Sequence, residues 1–175
     1  MASQTSLILK TMHVLFWIIF IGLCIKTGTL LFSYAFSMAV NPTAAQGLNT
    51  GINLSDLYNY DKVAYSIIVL MLTILTGLKA YIGYLVIKIF LEMKMEKPFS
   101  EGVSQIITKI AGISLVTGLG AVIAQAYADT LSSKNIPVPI DWAYGEILFF
   151  AGVIYIIAQI FSKGMALQSE NELTV

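Results

Sequence analysis

The chain has 175 residues, of which 57% are hydrophobic and 11% charged, with a formal net charge of zero. Together with a mean hydropathy of +0.80, this excludes an ordinary soluble domain, where about a quarter of residues are charged, and makes a lipid bilayer the natural solvent. Balanced charge excludes the basic stripe of a nucleic-acid-binding surface. All basic residues are lysine, so no guanidinium fork is present for bidentate anion binding.

About 20 apolar residues cross the hydrocarbon core as a helix, and four segments qualify: 11–34, 63–91, 106–128 and 142–161. They predict an all-α polytopic membrane four-helix bundle that forms a single domain over 1–175, with a tail at 164–175. The first segment follows Lys10 but is too long for the apolar region of a signal peptide and is broken by Lys26, so it reads as a retained span. Cys24 lies within it; a lone cysteine behaves as a small packing hydrophobe.

Lysine placement sets the orientation, because short cytoplasmic loops carry the excess positive charge. Lys10, Lys88, Lys94, Lys97, Lys109 and Lys163 fall on one side, Lys62 and Lys134 on the other. Both termini and the connection between spans two and three are therefore expected in the cytoplasm. Tyr58, Tyr60, Tyr65, Trp142 and Tyr144 are expected at the outer interface, where amphipathic rings settle.

In the first outer loop, Asn41-Pro42, Gly47 and Gly51 break any long helix. Asn53 or Ser55 is placed to cap a short helix. The second outer loop contains Ile136-Pro137-Val138-Pro139-Ile140, an extended, stiff connector.

Helices in lipid associate through small residues that permit close approach. The third span is richest in them (Ser114, Thr117, Gly118, Gly120, Ala121, Ala124, Ala128) and is expected at the centre. Gly77, Ala80 and Gly83 form a second narrow face on span two. Ionisable groups within spans are costly and are functional candidates by default. Lys79 is the foremost, about 18 Å inside the cytoplasmic end by helical rise, with no acidic residue at an obvious matching depth. Depth counting pairs Lys26 with Glu146 near the outer side, with Gln125 as an added hydrogen-bonding group. His13 reads as packing near the inner interface. No metal-ligand spacing, nucleophile elbow or P-loop is present, so neither enzyme activity nor a cofactor is expected.

Two cytoplasmic segments remain. In Lys97-Pro98-Phe99-Ser100-Glu101, Pro98 stops one helix and Ser100 caps the next. The other is the tail from Leu167 to Val175. At these residues the sequence resembles the DUF2975 family of bacterial membrane proteins, which is similar in having four spans, a Pro-Phe-Ser-Glu-type element before span three, and a Gly-x-x-Leu-Gln-x-Glu-x-Asp-Leu-Thr-Val tail. Gly164, Leu167, Gln168, Glu170, Leu173, Thr174 and Val175 match; Glu172 stands where Asp is usual, and Lys97 where Asn is common. The resemblance carries no established activity. It implies a bacterial inner-membrane location and frequent association with a small helix-turn-helix regulator.

The leading expectation is a non-enzymatic membrane-bound regulatory partner of such a regulator. Pro98, Phe99, Ser100, Glu101, Leu167, Gln168, Glu170, Glu172 and Leu173 are its docking candidates. Two readings of the tail stand side by side: a short segment disordered until bound, or an extension of helix four that packs on the hairpin. The alternative function is a small transporter, channel or accessory subunit of a membrane complex. Partners are then the bilayer and the regulator, with a homo-oligomer left open and no direct nucleic-acid contact.

Overall fold

The computed structural model describes residues 2–39, 51–93 and 100–172, with side chains at 7–39, 51–93 and 100–168. Its elements are all helical: α1 (Ala2–Ala39), α2 (Ser55–Tyr60), α3 (Lys62–Glu92), α4 (Glu101–Ser132) and α5 (Tyr144–Glu172). Four of them are long and apolar enough to cross a membrane, as the segment lengths required. The short α2 lies where a short helix was expected, but its N-cap is Leu54, which makes no side-chain cap, rather than Asn53 or Ser55. Asn53 Oδ1 accepts from both the backbone N–H of Ser55 (3.0 Å) and its hydroxyl (2.7 Å).

Local capping chemistry starts the long helices. Asp61 Oδ1 accepts from the N–H of Val63 at 2.8 Å to open α3, and Ser100 Oγ accepts from the N–H of Val103 at 3.4 Å to open α4. Each satisfies a helix-start donor that would otherwise lack a partner. α4 ends at Ser132; Asn135 then takes a left-handed conformation (φ 61), which asparagine tolerates better than most residues. The Pro-containing connector is extended, as expected. Its side chains alternate: Ile136 is buried, Val138 and Ile140 pack on the core, and Pro137 and Pro139 point outward, following the two-residue period of extended chain.

The helices form an open row. α1 packs on α3, α3 on α4 and α4 on α5, while α1 and α5 make no contact among the described residues. The bundle is thus open on one side, and α3 and α4 share its centre. The larger core cluster gathers around Leu57, Tyr65, Ile68, Ala121, Ala124 and Trp142. At this end α1 is tied to α3 by a tyrosine–serine network. Tyr34 donates to Ser66 Oγ at 3.1 Å, Ser37 Oγ donates to the Tyr34 carbonyl at 2.8 Å, and Ser37 Oγ lies 2.8 Å from the Tyr65 hydroxyl. Because the one Ser37 proton is committed, Tyr65 is the donor in that last bond. Tyr58 and Trp142 are buried alongside. Tyr58, Tyr65 and Trp142 therefore belong to the core rather than to the outer aromatic belt, whereas Tyr60 and Tyr144 are exposed.

The small residues act as their spacing predicts. Gly118 lies directly beneath Leu148: a Cβ there would stand 2.6 Å from Leu148 Cδ2. Gly77 and Gly83 face Thr27 and Phe20 of α1. Cys24 departs from its expected packing role, being exposed on the α1–α3 groove. His13 stacks on Phe90 (5.8 Å between centroids) and accepts from Trp17 Nε1 at 3.0 Å, which fits a packing residue.

Candidate functional site

The gap between α1 and α5 forms a cleft of about 440 Å³, floored by α3 and α4. Its walls are apolar, with Phe16 and Ile19 on one side and Phe150, Ile154 and Ile157 on the other; Lys79 supplies the amine. Lys79 also lines an adjoining cavity of about 240 Å³ with Ser114, Glu146 and Phe150. Ser114 is fully buried, and its hydroxyl has no hydrogen-bond partner among the described residues. A buried hydroxyl without a partner costs about 1–3 kcal/mol, so the cavity has an unmet polar demand beside its one cation.

The helix register explains how Glu146 comes to line a cavity with Lys79, against the depth expectation. Leu148 sits against Gly118, and Ala158 packs with Val103 and Ile107. That register sets the first residue of α5 beside Ala121, about eleven residues, or roughly 16 Å, below the end of α4. The connector runs down the flank of α4 with Ile136 and Trp142 turned inward. α5 therefore begins deep in the molecule. Counting from an assumed surface start placed Glu146 a full connector too high.

Four charges share this level. The charged neighbours of Lys79 are Lys26, the strongest, then Asp141 and Glu146. Lys26 and Glu146 do lie at similar height, but on α1 and α5, across the open cleft, and they form no ion pair. Among the described residues the ion pair is Lys88–Glu92 at 3.3 Å. Asp141 is a site residue the sequence reading missed; its Oδ1 accepts from the N–H of Ala143 at 2.9 Å, just ahead of α5. Ser114 was read only as packing, and nothing in its spacing distinguishes it from its neighbours. Gln125 stands apart from the cleft charges and donates to Asp129 Oδ1 at 2.7 Å. No group of three or more His, Cys, Asp or Glu residues is arranged to hold a metal among the described residues.

At the opposite end, Glu101 opens α4 and accepts from Gln105 Nε2 at 3.1 Å. α5 continues as helix through Glu172, so the first part of the tail extends the last long helix. Leu167 is exposed, at 62%, and Gln168 half-buried. The register places Glu101 level with Gly164, so the last two turns of α5 extend past the start of α4. Pro98, Phe99 and Leu173 lie outside the described residues, as do the side chains of Glu170 and Glu172.

The profile of DUF2975, a family described as a protein of unknown function, matches residues 49–175. The chain belongs to the DUF2975 family. In this DUF2975 protein the matched region takes in α2 to α5, including Lys79, Ser114, Asp141 and Glu146, whereas α1 and Lys26 precede it. No curated protein and no solved structure matches the chain.

Proposed function

We propose that this DUF2975 protein is a non-enzymatic regulatory subunit of the bacterial cytoplasmic membrane, with both termini inside. Its intramembrane cleft sets the state of a cytoplasmic docking end that holds a small helix-turn-helix regulator. The observation that carries this reading is Lys79 on the floor of a cleft that opens sideways, between α1 and α5. Whatever reaches that amine arrives from the bilayer, and the cleft can widen or close without breaking a helix-helix interface. Such a cleft suits sensing better than conduction, which needs a pathway enclosed along its length. The docking end would be the Ser100 turn and the last turns of α5, whose Glu170 and Glu172 complement a basic partner. The excess of lysine at the hairpin end supports the orientation, and the family resemblance supports the partner.

The test is a pull-down of the regulator by the full chain, by a chain lacking residues 164–175, and by Lys79→Leu. Capture should be lost without the tail and altered by Lys79→Leu. Equal capture by all three would sink the proposal. Labelling of single cysteines at Lys134→Cys and Lys163→Cys from opposite sides of the membrane tests orientation separately.

A further inference from the structure

The face of α3 and α4 turned away from the Lys79 cleft carries a second site. Near the hairpin end, a cavity of about 460 Å³ is lined by Tyr81, Tyr84, Lys88, Gln105 and Lys109. It adjoins an apolar channel of about 450 Å³ between α1 and α3, walled by Phe20, Cys24, Gly77 and Ala80. Tyr81 and Tyr84 line both, so the two volumes meet at these rings as a composite groove, polar at the hairpin end and apolar towards the middle. From Lys88 to Gly77 the groove runs about 16 Å by helical rise, close to one leaflet of a hydrocarbon core about 30 Å thick.

The charges in the polar end are unevenly met. Glu92 is the carboxylate lining this cavity, and its charge is met by a lysine. Its partner is Lys88, at 3.3 Å, and its Oε2 stands near the start of α4, where a Cβ at Gly102 would lie 2.6 Å away; of these two only the ion pair is an interaction. Lys109 has no carboxylate within ion-pair distance among the described residues; its amine lies over the Tyr81 ring, 5.5 Å from the centroid. Tyr81 and Tyr84 stack beneath it at 6.2 Å, a pair of amphipathic rings at the boundary between polar and apolar surface, where such rings settle.

We propose that this groove binds one anionic phospholipid of the leaflet at the hairpin end. Its phosphodiester sits between Lys109 and Lys88, and an acyl chain lies along Phe20, Cys24 and Gly77. Basic pockets between spans hold anionic headgroups by this chemistry. The apolar volume beside the charged end distinguishes a lipid from a free phosphate ion.

The experiment is native mass spectrometry of the delipidated full chain, titrated with phosphatidylglycerol or with phosphatidylcholine of the same acyl chains. Phosphatidylglycerol should be retained preferentially. Lys109→Gln should weaken its retention about fivefold, the loss expected for one lysine near a membrane surface, and leave phosphatidylcholine unchanged; Lys109→Arg should keep the preference. Cys24→Trp, which fills the channel, should weaken both lipids. Equal retention of the two lipids by the unaltered chain would overturn the proposal, as would a Lys109→Gln titration that superposes on it. Displacement of phosphatidylglycerol by an equal concentration of inorganic phosphate would also overturn it, by showing a free-anion site. Lys109 is exposed, so its replacement leaves the core intact, which circular dichroism checks.

Discussion

Gly118 offers the sharpest test of how α4 holds α5. A Cβ added there would stand 2.6 Å from Leu148 Cδ2, 2.8 Å from its Cγ and 3.4 Å from Ile147 Cγ2. Because Cγ is the branch point of the leucine, rotating one methyl does not relieve the overlap; the side chain or the helix must move. Overpacking of this kind costs about 1–3 kcal/mol. Replacing a mid-helix glycine with alanine returns about 1 kcal/mol of helix propensity, so Gly118→Ala should be destabilised by about 0–2 kcal/mol. Gly112, one and a half turns away on α4, has nothing within 4 Å, and Gly112→Ala should show the propensity gain alone. The gap between the two variants therefore isolates the overlap. Thermal unfolding in detergent or nanodiscs reads it, and adding Leu148→Ala completes a double-mutant cycle in which the Gly118→Ala penalty should shrink. If Gly118→Ala proves as stable as Gly112→Ala, or its effect ignores residue 148, the packing argument fails.

Ser37→Ala should destabilise more than Tyr65→Phe, since it leaves the buried Tyr65 hydroxyl without its acceptor, at about 1–3 kcal/mol. Tyr65→Phe leaves Ser37 bonded to the Tyr34 carbonyl; a reversed order in thermal melts would refute the donor assignment. Ala143 takes a left-handed conformation (φ 51) that costs a non-glycine residue roughly 1–2 kcal/mol. Ala143→Gly should raise the melting temperature by an amount equivalent to at most about 1 kcal/mol, after the extra chain entropy of glycine is subtracted; a fall would show that the strain is absent. Glu92→Gln breaks an exposed i,i+4 ion pair and should change stability by less than about 0.5 kcal/mol. A larger loss in the same melts would mean that the carboxylate chiefly supports the start of α4.

Much of this architecture was legible in the residues, and the reasons differ by element. The four spans follow from apolar runs long enough to cross a membrane, and the start of α4 from a serine three residues ahead of an amide it can cap. The roles of Gly77, Gly83 and Gly118 follow from spacing, because only small residues allow helices in lipid to approach. The vertical position of α5 was not legible. It depends on how far the connector descends, which is set by Ile136, Val138, Ile140 and Trp142 turning into the core. That one displacement brings Glu146 and Asp141 to the level of Lys79 and Ser114. The separation of α1 from α5 was equally hidden, since the charges of Lys26 and Glu146 encode depth but not position around the bundle.

The row in which α1 meets α3, α3 meets α4, and α4 meets α5 bears on how the chain is made. Each long helix after α1 finds a packing partner in the long helix synthesised just before it, and α1 waits only for α3. Assembly can thus proceed hairpin by hairpin in the order of translation, with little sequence distance to close at any step. The last helix to arrive, α5, completes the Lys79 cavity through Glu146. A nascent chain that has released only its first three long helices therefore holds the half-buried Lys79 amine without either nearby carboxylate, and gains both in a single final step.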